Sequence, residues 1–398
     1  MNHHRNDQHA ARDRGSRIGL RAGAGMAAIV GVALVALSCG GSVGGGEQGS
    51  LPTTQPGRLT RVLEDLAWVV LVPQYRAMTD AFADLDGATA AFCDAPDADG
   101  LETTRAAWRR AMETWVASSM FQLGPIGDEN RGLRIEFWPD ANNNVPRAVE
   151  QMLARDDALT ADTLARQSVA AQGLPALERL LFDPDEEALA QFTGGERAAR
   201  RCTYARAITG NLVGIAREIE AGWTSENGYA SQLAKAGRGS DVFATREAAI
   251  DEVVNALVTA LSASRDDRLS SPLGGDTAAD AKPFRAESFA SGNSFANLAA
   301  SVRGAEAIYA GGAGFGFDDY LRASSRDALA SQIAGEFATL HEQVVAVPAT
   351  LADAVQDEVL RPRVVDLLDR ATALTGLIEV DLSKAMDVTI GFNANDGD

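Results

Sequence analysis

Histidine is scarce in this sequence, and its scarcity excludes several kinds of site. Of the four histidines, His3, His4 and His9 lie within the first ten residues, which leaves His341 alone in the rest of the chain. A zinc or copper site built from several imidazoles therefore lacks ligands. A Ser-His-Asp triad would have to use His341, which sits in an ordinary helical pattern. Any metal site must rely mainly on oxygen ligands.

Cysteine is equally rare, with Cys39, Cys93 and Cys202 only. No Cys-x-x-Cys motif is present, so neither a redox motif nor a zinc ribbon is indicated. Cys39 follows an apolar leader and is the candidate for lipid attachment. Cys93 and Cys202 then remain as an even pair in an oxidising compartment, and we expect a disulfide between them. The alternative is two buried free thiols.

Positive charge is in deficit. The chain has 36 Lys and Arg against 55 Asp and Glu, for a net charge of -19. Such a surface repels nucleic acid and anionic lipid headgroups, so we expect no nucleic-acid partner. It suits cations, although the simpler interpretation is a soluble surface.

The first 38 residues have the composition of a targeting signal. Five arginines precede an apolar stretch from Met26 to Leu37, which has the length of a signal segment and is short for a bilayer span. Small residues flank Cys39, although Ala36 stands where many lipoprotein signals have Leu. We therefore expect a lipoprotein signal over 1–38, a lipid on Cys39 that anchors the protein to a membrane, and a periplasm-facing domain. The alternatives are an ordinary secretory signal or an uncleaved anchor.

Apolar residues recur at helical spacing through the remainder of the chain, which predicts an all-α fold. A stripe from Leu59 to Val70 is followed by Pro73, where we expect a kink or an end. The predicted organisation comprises a flexible tether, a first helical bundle, a connector that contains Gly and Ser, and a second helical bundle. These span 39–57, 58–223, 224–240 and 241–398.

Four segments interrupt the helical pattern and are natural places for function, at 121–144, 264–293, 311–319 and 391–398. The Gly-rich run at 311–316 lacks the Lys of a nucleotide-binding loop. The terminal Asn and Asp residues lack the closing Glu of a calcium loop.

One further segment, Gly-Leu-Pro-Ala-Leu-Glu at 173–178, places Glu178 at helical spacing among apolar residues. Such a carboxylate is either a solvated edge or part of a site. The segment resembles the Gly-x-His-x-x-Glu motif of the imelysin family, also called the M75 peptidase family, in the form typical of imelysin-like periplasmic lipoproteins. Other segments resemble the family in the same order, so the resemblance covers roughly 59–398. They lie at 108–115, 123–125, 137–140, 201–206 and 391–393.

The resemblance implies two helical-bundle halves related by a pseudo-twofold, a site between them, exposure to the envelope and, in several relatives, a link to iron uptake. Pro175 stands where the wider family has His, so this chain lacks the imidazole of the motif. Glu178 matches the carboxylate of the motif and is the expected metal ligand, with iron the expected ion.

We therefore expect a non-catalytic lipoprotein that binds a cation or small ligand between the bundles, in iron or other metal acquisition. One alternative is an M75-type metallopeptidase, which would need more imidazole ligands than His341 supplies. Another is a module that holds an envelope protein through the loop around Trp138.

The expected ligand-binding residues come from three segments. They are Gly173, Pro175 and Glu178 from the motif, Arg134, Trp138 and Asp140 from the loop before it, and Arg285, Glu287 and Ser288 from the second bundle. A helix broken at Gly173 and Pro175 would leave backbone groups that need partners. The alternative is that Glu178, Arg134 and Arg285 form an internal ion-pair network that holds the bundles together.

Overall fold

The computed structural model describes residues 53–182, 188–194 and 197–388. The leader, Cys39 and most of the tether lie outside these residues, as does the terminal segment 391–398. The expected lipid attachment therefore stays a prediction.

The first helix begins at Gln55, inside the predicted tether. The side chain of Thr54 accepts a hydrogen bond from the Gly57 amide at 3.3 Å, which caps the helix. Proline occupies the first turn, where a missing N–H costs little.

The described residues are helical or lie in the turns and loops between helices, and they include no strand, so the all-α prediction is confirmed. None of the helices within the described ranges is both long and apolar enough to cross a membrane. The α-helices span Gln55–Asp65, Val72–Asp94, Ala98–Ser118, Arg131–Ile135, Asn144–Leu153, Ala161–Leu164, Gly173–Leu181, Ala188–Thr193, Ala198–Thr224, Tyr229–Ala234, Arg246–Ala263, Ser271–Leu273, Ser294–Ala310, Phe317–Ala323, Asp327–Val345, Leu351–Ala354, Arg361–Gly376 and Ser383–Met386. Short 3₁₀ turns lie at Gly124–Ile126, Asp128–Asn130, Val169–Ala171, Ala278–Asp280 and Pro283–Arg285.

Three π-helical segments are inserted between α-helices, at Leu66–Leu71, Ser264–Ser270 and Leu377–Leu382. The first of them shows that the helix does not end at Pro73, because the chain stays helical from Gln55 to Asp94. Pro73 lies in the first turn of the α-helix that follows the π segment. A wider helical turn just before a proline removes the need for its missing N–H.

The core is built around large aromatic side chains on three long helices, Val72–Asp94, Ala98–Ser118 and Ala198–Thr224. Tyr75 stacks on Trp223 with ring centroids 5.0 Å apart, and both are fully buried. The structure also joins Cys93 to Cys202 in a disulfide, with Cα atoms 5.4 Å apart. This bond ties the end of the first long helix to the start of the third.

The described residues from 53 onward form one compact unit. Helix Ser294–Ala310, from the predicted second bundle, packs directly on Ala98–Ser118 from the first. The helices approach so closely at Gly304 that a Cβ there would lie 2.4 Å from the Ala117 carbonyl oxygen. The predicted connector contains a helix, Tyr229–Ala234, and Tyr229 packs edge-on against Trp223. The proposed division into two halves related by a pseudo-twofold stays a prediction.

Candidate functional site

A cavity of about 650 Å³ lies beside the helix Gly173–Leu181, which carries the Gly-x-Pro-x-x-Glu motif and is called the motif helix below. Segments from both predicted bundles line this cavity. Its walls come from residues between Trp108 and Arg179 and from residues between Asp267 and Ala290. Aromatic and apolar side chains alternate there with ionisable ones. The ionisable residues of the lining are Glu136, Asp140, Glu178, Arg179, Asp267 and Arg285.

Gly173 is the first residue of the motif helix, Gly173–Leu181, and has a left-handed backbone with φ of 75°. A Cβ at this position would lie 2.2 Å from the carbonyl oxygen of Ile135. Glycine is therefore required both by the left-handed backbone and by this close approach. Pro175 lies in the first turn, where backbone N–H groups lack intrahelical acceptors in any case. The expectation of a broken helix is therefore wrong, because Gly173 and Pro175 lie in the first turn of the helix and do not interrupt it.

Glu178 lines the cavity with only 8% of its surface exposed. The backbone N–H of Ser291 donates to its Oε1 at 2.8 Å, which links the motif to the predicted second bundle. Burial raises the pKa of Glu178 to about 7, and nearby Glu287 adds to the rise. The hydrogen bonds from Ser291 and the charge of Arg179 oppose this rise without cancelling it.

Arg268 and Glu287 form a buried ion pair beside the cavity. The guanidinium donates to both Glu287 oxygens, at 3.1 and 2.7 Å, in the bidentate geometry that favours this pairing. The same guanidinium lies 5.3 Å from the ring centroid of Trp138. Burial alone would lower the pKa of Arg268, but Glu287 and Glu136 raise it above its ordinary value. Arg268 is therefore a fixed positive charge behind the cavity wall.

Glu136 faces this pair from the predicted first bundle. The indole N–H of Trp115 donates to Glu136 Oε2 at 2.6 Å, while the buried Oε1 has no hydrogen-bond donor. Burial raises the pKa of Glu136 well above its ordinary value and the charge of Glu287 raises it further, whereas Arg268 and Trp115 oppose the rise. Glu136 and Glu287 are therefore a coupled pair of buried carboxyl groups beside Arg268, and two such adjacent groups do not both ionise readily.

Six of the nine expected site residues line this one cavity. They are Pro175, Glu178, Trp138, Asp140, Arg285 and Ser288. Asp140 also caps a helix, because its carboxylate accepts hydrogen bonds from the Asn144 and Val145 amides at 2.8 and 2.7 Å.

The other three expected residues lie outside the lining. Gly173 supports the start of the motif helix, and Glu287 is buried behind the wall with Arg268. Arg134 donates to the side-chain oxygens of Asn211 and Gln172, at 3.2 and 3.5 Å.

The alternative of an ion-pair network among Glu178, Arg134 and Arg285 is wrong for the described residues, where these three form no ion pair with one another. Arg285 is exposed, and Arg134 binds neutral amides. The buried pair instead involves Arg268, which the sequence placed in a non-helical segment. Its position depends on the π-helical turn Ser264–Ser270, which apolar periodicity does not reveal.

The described side chains do not fit a resident metal ion. Within the ranges that the structure covers, no three His, Cys, Asp or Glu residues are grouped so that they could hold one. The carboxylate of Glu178 faces a backbone donor and that of Glu287 faces a guanidinium, so neither belongs to a ready set of ligands. The role of Glu178 as a metal ligand is therefore not supported by its surroundings.

The all-α fold and the Gly-x-Pro-x-x-Glu helix are the features that the resemblance to the imelysin family implied. The sequence profile described as imelysin, peptidase M75, matches residues 71–378, so the chain belongs to the imelysin family. The resemblance drawn from the motifs is thereby confirmed.

Three relatives are similar to this chain. The Synechococcus elongatus protein named iron-regulated protein A is 26% identical over 284 residues, which cover 70% of this chain and 73% of that protein. The crystal structure of an imelysin-like protein from Psychrobacter arcticum has a TM-score of 0.70 at 21% identity and covers 85% of this chain and 98% of its own. A Parabacteroides distasonis structure, described as a proposed iron-regulated protein A precursor, has a TM-score of 0.65 at 16% identity, with coverages of 84% and 97%. At these identities the two structures establish the shared fold.

Proposed function

We propose that this protein is a ligand-binding member of the imelysin family that holds a small molecule in the cavity beside Glu178. The observation that carries this proposal is the cavity itself. Its volume of about 650 Å³ lies in the range of small-molecule sites, and a few buried polar groups converge on apolar walls. Its lining comes from both predicted bundles, so a bound molecule would contact both.

The setting that we propose is the cell envelope, with the protein anchored by a lipid on Cys39 and facing the periplasm. The signal-like composition of residues 1–38 supports this setting. Replacement of Cys39 by Ala tests it, because the variant should lose its lipid and leave the membrane fraction. A variant that partitions into detergent like the wild type after signal removal would contradict the anchor.

A role in iron acquisition is supported by the names of two relatives, which refer to iron regulation. We infer that the cavity binds a molecule rather than a bare ion, because the described residues offer no ready group of three metal ligands. The same finding weakens a metallopeptidase function, since a catalytic zinc site usually requires three protein ligands.

The test is native mass spectrometry of the full-length protein extracted from its own envelope in mild detergent. We expect the native mass to exceed the mass of the denatured protein, and the difference should be released on denaturation as an organic molecule. A matched control is Ala290→Trp, which fills the cavity from its wall and should remove the excess. Metal analysis is run on the same sample. Stoichiometric metal with no organic mass, or an excess that Ala290→Trp retains, would contradict the proposal.

A further inference from the structure

We propose that the cavity selects organic cations, molecules in which a protonated amine or guanidinium is attached to an apolar body. This inference rests on the proposed function, because it assumes that the cavity binds a small molecule. The preference for a cation follows from which charged groups near the cavity already have partners and which of them can still accept hydrogen bonds.

Acidic groups outnumber basic ones in the lining. Even without Glu136, whose pKa is raised by burial, the carboxyl groups of Asp140, Glu178 and Asp267 stand against the guanidinium groups of Arg179 and Arg285. Arg285 is exposed at the surface, where solvent screens its charge. The nearby buried Arg268 is held by both oxygens of Glu287 and is not available to an anion.

Glu178 is the buried carboxyl best placed to accept a donor from a ligand. Asp140 already caps a helix through both of its oxygens, and Glu136 is engaged by Trp115. Glu178 receives the backbone N–H of Ser291 at Oε1, and the side chain of Ser291 also forms a hydrogen bond with it. A carboxylate has about four acceptor positions, so it retains capacity for the N–H donors of an ammonium or guanidinium group. Because Glu178 is buried, such a charge-assisted bond is stronger there than in water.

The remaining walls suit an apolar body attached to that cation. Trp108, Met112, Phe137 and Trp138 contribute to them, and two large side chains complete the lining near solvent. Phe284 and Phe289 are 69% and 43% exposed, which is unusual for phenylalanine. A ligand that covers them would bury apolar surface, and aromatic faces also attract cations. An anion would gain the same apolar contact but would lie against the buried carboxylate of Glu178.

The experiment compares three molecules that share one aromatic ring: tyramine as the cation, tyrosol as the neutral alcohol, and 3-(4-hydroxyphenyl)propionate as the anion. Binding to the full-length protein in detergent is measured by isothermal titration calorimetry at pH 8. We expect tyramine to bind at least tenfold more tightly than either of the others. Glu178→Gln should reduce tyramine affinity at least tenfold and leave tyrosol unchanged.

Two control variants make the result decisive. Glu342→Gln removes an exposed carboxylate outside the cavity and should bind tyramine like the wild type. Ala290→Trp should abolish tyramine binding, and it keeps the test informative if Glu178→Gln folds poorly.

Equal or tighter binding of tyrosol or the propionate would overturn the cation inference but leave a ligand-binding cavity intact. Tyramine binding that is insensitive to both Glu178→Gln and Ala290→Trp would overturn the inference as well. If none of the three molecules binds, the inference also fails. Native mass spectrometry of the extracted protein then decides separately whether the cavity holds another small molecule.

Discussion

At the scale of single residues, Glu178 binds its proton more tightly in the folded protein than in an unfolded chain. Burial and Glu287 raise its pKa from 4.5 to about 7, against the opposing effects of Ser291 and Arg179. A carboxyl whose folded-state pKa is raised contributes stability below its unfolded pKa, and this contribution is lost as pH rises through about 7. A shift of this size corresponds to about 3 kcal/mol.

We therefore predict that Glu178→Gln flattens the dependence of stability on pH. The amide keeps an oxygen for the Ser291 N–H but cannot ionise, so at pH 8 the free energy of unfolding should equal or exceed that of the wild type. Urea unfolding at pH 5, 6, 7 and 8 measures this, with Glu342→Gln expected to follow the wild type. A variant that is clearly less stable at pH 8 would mean that the charge of Glu178 supports the fold.

The buried Arg268–Glu287 pair makes a second prediction at this scale. Glu287→Gln removes the counter-charge of a guanidinium that is only 8% exposed, and loss of one partner from a buried pair typically costs about 3–5 kcal/mol. Urea unfolding at pH 7 measures the loss. The matched control is Glu150→Gln, which disrupts the exposed pair with Arg197 and should change stability by less than about 1 kcal/mol. Equal losses of stability in the two variants would show that the buried pair contributes no more to the free energy of unfolding than the exposed pair does.

At the scale of elements, the start of the motif helix depends on glycine. Gly173→Ala would place a Cβ against the Ile135 carbonyl oxygen at a left-handed backbone position, so we expect a loss of more than about 2 kcal/mol. Gly335→Ala is the control, because it lies inside a helix with open space around it and should stabilise by up to about 1 kcal/mol. Thermal unfolding of both variants measures the contrast. An unchanged melting temperature for Gly173→Ala would show that the close approach relaxes easily.

The sequence predicted the helices well and the site only in part, for a physical reason. Apolar side chains at helical spacing report burial directly, so the all-α fold follows from periodicity. The motif and the loop around Trp138 were also identifiable, because their residue types interrupt that pattern. Arg268 was missed, since it lies in a π-helical turn whose altered register brings a charged side chain inward. Glu136 was seen only as part of a loop, because nothing local predicts that it meets Glu287 from distant sequence.

At the scale of the whole molecule, the disulfide between Cys93 and Cys202 connects residues separated by 109 positions. Closing a loop of this length restricts the unfolded chain, so replacement of both cysteines by serine should cost about 2–5 kcal/mol. Denaturant unfolding of the double variant measures this loss, and the reduced wild type should behave in the same way. If alkylation of the unreduced protein labels both thiols, the bond is not formed in the isolated protein and the predicted loss does not apply.

The central claim is that the cavity beside Glu178 holds a small molecule through that carboxylate. The most direct measurement is a crystal structure of the protein soaked with tyramine. We expect density for the ring within the cavity, with the amine nitrogen at hydrogen-bond distance from a Glu178 carboxylate oxygen, roughly 2.7–3.2 Å. An empty cavity at a concentration that saturates binding in solution, or tyramine bound elsewhere on the protein, would contradict it.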